Sequence, residues 1–157
     1  MRYAVTATNV ASGAVADTFK TLAAVIAADT AGHRARLVSL AAGTADDTPQ
    51  DKNVCVRLIR TDNTAAGTPG SSPTPAKLDT DSRASVLTAG INYSAEPTSL
   101  ESTPVFAVDF NLRGGLLKEW APDDAPVLNK NQTLCVQAAP RTPNAATLTI
   151  TLVYEEF

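Results

Sequence analysis

Histidine is almost missing from this sequence: His33 stands alone among 157 residues, with only two cysteines, Cys55 and Cys135. Three such side chains, two of them far apart in sequence, cannot make a zinc site by themselves, so no metal is expected. Ser-His-Asp catalysis would have to run through His33, and no nucleophile-elbow motif is there to mount a serine. His33, followed by Arg34 and Arg36, reads as a turn residue at the start of a strand. Aromatic residues are also scarce, and none is interleaved with Lys52, Arg57 and Arg60 to form a stacking platform for bases. With a net charge of -3 and a pI near 5.0, nothing draws the chain generally towards nucleic acid.

Long apolar runs are lacking too. The most apolar stretch, Thr21 to Ala28, is far shorter than the roughly 20 residues that span a bilayer. Met1 to Thr8 alternates where a signal peptide would run continuously apolar, so no membrane partner and synthesis in the cytoplasm are expected. Phosphate chemistry finds no support, since Gly114-Gly115 and Gly67 to Gly70 lack the lysine of a P-loop. The carboxylate pairs Asp46-Asp47, Asp79/Asp81, Asp123-Asp124 and Glu155-Glu156 fall mostly in turn-like contexts, and no twelve-residue calcium loop surrounds any of them. Neither an enzyme nor a cofactor protein is expected.

What the sequence does have is alternation. In Thr147 to Glu155, Leu148, Ile150, Leu152 and Tyr154 share one face and threonines take the other, as in a half-buried strand. Asn53 to Thr61 repeats the pattern with Val54, Val56 and Leu58, and Thr133 to Ala138 with Leu134, Val136 and Ala138. Val105 to Phe110, Arg34 to Leu40 and Tyr3 to Thr8 complete the set. Turn-rich breaks at Ala41 to Pro49 and Pro140 to Asn144 separate them, because proline fixes φ and lacks a donor. Short strands between such breaks predict one all-β domain, a sandwich or barrel.

Two regions are less direct. Phe19, Leu22, Val25 and Ile26 have helical spacing with Asp17 as a possible cap, yet Leu22 to Ala27 is short enough for a buried strand. The sheet context favours the strand, with a short helix as the alternative. Asp62 to Asp81, rich in Pro, Gly, Ser and Thr, has few groups that could offset the cost of ordering its backbone. It reads as a long loop, either solvated or ordered against a partner. The cysteines each sit in a strand-forming run, and free buried thiols are expected over a disulfide. Trp120 fits a core or subunit-interface role, with a sugar-stacking platform as the alternative.

The order of several segments carries a resemblance. Arg34-Ala35-Arg36-Leu37-Val38-Ser39-Leu40 precedes Val54-Cys55-Val56-Arg57-Leu58-Ile59-Arg60-Thr61, then Thr64-Ala65-Ala66-Gly67-Thr68 and Lys77-Leu78-Asp79. Thr88-Ala89-Gly90-Ile91-Asn92-Tyr93-Ser94-Ala95-Glu96-Pro97-Thr98, Phe110-Asn111-Leu112-Arg113, Trp120-Ala121-Pro122 and Val153-Tyr154-Glu155-Glu156 follow. From about Thr21 onward this succession resembles the capsid decoration, cement and other minor virion proteins of tailed bacteriophages. It departs from their pattern around Pro69 to Pro75.

The resemblance implies a jelly-roll-like β-sandwich of about eight strands that binds the outer capsid surface, with the major capsid protein as partner. It also implies a homo-oligomer, a trimer by preference, located on the virion. Candidate partner-binding residues are Thr68, Pro69, Pro73 and Pro75 in the long loop, Tyr93 and Glu96 in Asn92 to Thr98, and Arg113 and Trp120. The Met1 to Val10 strand could pair with a neighbour's sheet edge. A tail, baseplate or head-tail component and a carbohydrate-binding module are the alternatives.

Overall fold

A computed structural model describes the chain except for residues 29–33, 47–50 and 63–64; His33 and Asp47 therefore lie outside the described residues. The described residues form eleven strands and no helix: β1 (Arg2–Ala11), β2 (Lys20–Ile26), β3 (Ala35–Thr44), β4 (Asn53–Asp62), β5 (Ala76–Lys77), β6 (Thr88–Ile91), β7 (Phe106–Asn111), β8 (Leu116–Glu119), β9 (Val127–Leu128), β10 (Gln132–Pro140) and β11 (Thr147–Glu156). The first sheet runs β5-β1-β11-β3-β8, with β9 also paired to β3, and the second runs β6-β2-β10-β4-β7. Every pairing is antiparallel, and the two sheets lie face to face as a β-sandwich.

The alternation in the sequence builds the core. Tyr3, Val5 and Ala7 of β1 and Leu148, Ile150, Leu152 and Tyr154 of β11 project inward from the first sheet. Leu22, Val25, Val54, Val56, Leu58, Leu134 and Val136 meet them from the second. Tyr3 and Tyr154 stack with ring centroids 5.6 Å apart. Full burial of each large apolar side chain is worth about 1.5–3 kcal/mol, which is why register is so tightly held in these strands.

Several expectations meet their outcome here. Lys20–Ile26 is a strand, not a helix, and Asp17 sits in the left-handed region at φ 58, inside a turn. The break placed at Ala41 starts later: Ala41 to Thr44 continue β3, paired to Leu148–Thr151 of β11. Small residues do not stop a strand that has a partner to bond to. β8 was not anticipated, because its alternation is inverted, with Leu117 pointing out and Lys118 in. Cys55 and Cys135 are free and buried. Cys55 is opposite Ala139 whereas Cys135 is opposite Ile59, four residues farther along the ladder. That is about 13 Å along the strand, beyond the roughly 7 Å Cα limit for a disulfide.

Candidate interaction surface

The two sheets differ in what lies outside them. A strap of chain, residues 65–100, lies against the second sheet: its two arms, 65–71 and 92–100, cross the outer face, while between them β5 joins the first sheet at β1 and β6 extends the second at β2. Its two arms bond to each other: the Thr68 N–H donates to the Ala95 carbonyl (2.9 Å), and Ser71 and Ile91 exchange N–H to carbonyl bonds (3.2 and 2.9 Å). The long loop thus orders against its own chain, since a backbone poor in side-chain anchors is held through main-chain pairing. Farther on, β5 adds to the edge of β1, with Ala76 opposite Ala4.

The strap is fastened by one carboxylate. Glu96 accepts from the Thr21 N–H (3.0 and 2.9 Å to its two oxygens) and from the Thr21 hydroxyl, while Gln137 Nε2 donates to Thr21 Oγ1 (2.9 Å). Beneath it Tyr93 is 2% exposed and clusters with Ala24, Ile59 and Cys135. Gly90 permits that approach, because a Cβ there would stand 2.8 Å from the Tyr93 hydroxyl and 2.9 Å from Pro69 Cβ. Burial pushes the Tyr93 hydroxyl above the ordinary tyrosine range, and pushes the Cys135 thiol up to about 12. Where the strap ends, Arg57 lies over the Phe19 ring, 3.7 Å from its centroid, and its Nε donates to Gln137 Oε1 (2.9 Å). Nearby, Arg141 bridges Asp109 and Asp17, both at 2.6 Å, and holds the Asp109 carboxyl below its usual range.

The outer face of the first sheet is open. Its rungs follow from the register: Arg2, Glu155 and Arg36; then Ala4, Val153, Ser39 and Glu119; then Thr6, Thr151, Ala41 and Leu117; then Thr149 beside Gly43. Charge is confined to the first rung and to Glu119 at one corner. Apart from Glu119 at the β8 edge, the two middle rungs carry uncharged groups, and the Thr6 and Thr151 hydroxyls bond to each other at 3.1 Å. Leu117 is 69% exposed at the rim. Arg36 donates to Glu155 Oε2 from Nη2 (2.7 Å) and Nε (2.9 Å), which holds the Glu155 carboxyl below its usual range. A flat β face without charge at its centre is the composition of an interface core, which is depleted of charge relative to ordinary surface.

The candidate contact residues are divided between roles. Thr68 is exposed on the strap, and Pro69 is half-buried. Pro73 and Pro75 line a groove of about 190 Å³ with Leu87 and Ala89. Tyr93 and Glu96 are committed inside the chain as strap anchors. Arg113 is exposed at the β7–β8 corner, where its N–H donates to Asn111 Oδ1 (3.0 Å). Trp120 is half-buried, edge-on to Phe106 at 5.6 Å, with the Lys118 ammonium 5.6 Å from its ring centroid. Of these candidates Trp120 borders the open face, where it lines a hollow of about 90 Å³ with Arg2, Arg36, Glu155 and Pro122. The signal that could have found the face is the threonine row of β11, read with the small residues of β3.

The acidic pairs are separated or local. Glu155 points outward to Arg36, whereas Glu156 is buried and accepts from the Ser85 hydroxyl and the Leu87 N–H. Asp79 accepts the Asp81 N–H at 3.1 Å, a bond local to one turn. Arg57 and Arg60 project from opposite faces of β4, the latter donating to the Val127 carbonyl (3.0 Å). Among the described residues no cluster of three His, Cys, Asp or Glu side chains could hold a metal ion, and no helix is long and apolar enough to cross a membrane. In comparisons with known proteins, no family model matches the chain and no curated protein matches it significantly.

Proposed function

We propose that this protein is a non-enzymatic decoration or cement protein of a tailed-phage virion, which binds the outer capsid surface as a homo-oligomer and stabilises the mature shell. The observation that carries this reading is the open outer face of the first sheet, charged at one end and at the β8 edge but not at its centre, a surface suited to lasting protein contact. The two arms of the strap sheathe the second sheet, whereas the outward residues of β11 in the first sheet stay half-exposed. The strand order supports the jelly-roll form: two four-stranded layers, β1-β11-β3-β8 and β2-β10-β4-β7, wrap around one core, with β5, β6 and β9 added at the rims.

A protein of this kind acts by linkage. Contacts made only with the assembled, expanded lattice shift the equilibrium towards that lattice, and repetition over the shell multiplies a modest local term. An interface of about 1,600 Å² per site with the major capsid protein would suffice. No cofactor enters this action.

Co-sedimentation with expanded capsids stripped of the protein tests the proposal. Saturable binding at a fixed ratio to capsid subunits, weak on unexpanded shells, is the expected result. Absence of binding, or a gold label that marks tails in place of shells, would overturn it.

A further inference from the structure

We propose that the open face of the first sheet receives a second copy of this chain, related to the first by a two-fold axis that runs along the strands between β11 and β3. This deepens the reading above, on which it rests, by assigning that face to the contact between copies of the homo-oligomer and leaving the capsid contact to surfaces outside it.

The face is self-complementary. Such an axis lays β3 of one copy over β11 of the other, and β8 over β1, with rung facing like rung. Arg36 then faces the second copy's Glu155, and Glu155 its Arg36, so the intrachain pair becomes an alternating ring of four charges. Glu119 of the second copy falls opposite Ala4, one rung or about 7 Å from Arg2. Arg2 lies across from Glu155 and stabilises its carboxylate, and no side-chain hydrogen bond to Arg2 or Glu119 is formed among the described residues, so the two can approach each other. Leu117, exposed on one copy, comes down on Thr6, where small side chains leave room. Ala41 meets Thr151, and Ser39 meets Val153. A two-fold axis across the strands would instead set charged rungs against uncharged ones.

Four strands about 4.8 Å apart and four rungs about 7 Å apart cover roughly 500 Å² on each copy. The pair therefore buries about 1,000 Å² or slightly more, at the lower end for specific complexes. The contact is reversible and concentration-dependent in free solution, and is reinforced when copies are held on a lattice.

Sedimentation velocity from about one to a few hundred micromolar, without capsids, tests this. A monomer–dimer equilibrium is expected. Ala41→Arg should leave a monomer at every concentration with an unchanged circular dichroism spectrum and melting temperature. Glu119→Arg should weaken the dimer by about tenfold, and adding Arg2→Glu should restore it. A wild-type chain that stays monomeric, a trimer, or a dimer indifferent to Ala41→Arg would overturn the proposal. Capsid binding is a separate readout: a monomer that still saturates shells overturns only the two-fold contact, and a dimer that ignores shells overturns only the capsid reading.

Discussion

β10 and β11 are joined by a single turn, and each is the middle strand of its sheet, yet their surroundings are opposite. From Thr133 to Pro140 every residue of β10 is buried, because the sandwich core covers one face and the strap the other. In β11 burial alternates residue by residue from Thr147 to Glu156, because no strap like that over β10 crosses its outer face among the described residues. Composition follows environment. β10 carries Leu, Cys, Val, Gln and Ala with no charge, whereas β11 sets threonines between its core residues. A strand sealed on both sides tolerates only apolar groups or polar groups with partners, such as Gln137 held between Thr21 and Arg57. A strand sealed on one side keeps polar residues outward, and here those residues are small and uncharged.

The sharpest way to break this comparison is to put the same charge on both strands. Cys135→Arg would force a guanidinium into the packed cluster of Ala24, Ile59 and Tyr93 under the strap, and should cost at least about 3 kcal/mol or prevent folding. Val153→Arg on the open face should change monomer stability by no more than about 0.5 kcal/mol. Urea unfolding at low protein concentration measures both, and equal costs would show that the two outer faces do not differ.

The strap itself comes next. Glu96→Ala leaves the Thr21 N–H and hydroxyl without their charged acceptor, and should cost about 2 kcal/mol. Hydrogen exchange should accelerate at Thr21 and within residues 65–100 while β11 stays protected. Unchanged protection would mean that the main-chain bridges alone hold the strap.

A third test uses the thiols as depth probes. Burial raises both, Cys135 to about 12, so neither is a thiolate at pH 8, and a thiol reagent must wait for local opening. Cys55, nearer the edge of the strap, should react at least about tenfold faster than Cys135. Equal rates would indicate that the second sheet opens as one unit.

The smallest effect concerns Glu155. Its carboxyl lies below the usual value because Arg36 donates to it, so its contribution is present above the unfolded value and is lost as pH falls through the folded one. Glu155→Gln should therefore flatten the acid side of the stability profile below about pH 4.5, by under about 1 kcal/mol because the pair is partly exposed. An unchanged slope would assign acid sensitivity to other carboxylates, Asp109 with its Arg141 partner foremost.

Much of the fold was legible where alternation is strong. β1, β4, β10 and β11 follow from period-two spacing of Val, Leu, Ile and Tyr, and the choice of strand for Lys20–Ile26 followed from its brevity and context. The extension of β3 and the existence of β8 were not, because Ala, Gly and an inward Lys carry no periodic signal; their strands exist through the neighbours that bond to them. For the surface, the eight contact candidates followed the composition of the long loop and the segments that carry the resemblance. Two of them, Tyr93 and Glu96, anchor the chain to itself.

By itself the sequence determined the all-β class and the inward faces of the main strands, because side-chain alternation is a local property that burial enforces rung by rung. Only the tertiary structure decided which sheet is sheathed and which is open. That choice depends on residues 65–100 finding main-chain partners and the Thr21–Gln137 clamp, contacts between segments as much as 116 residues apart that no local pattern encodes.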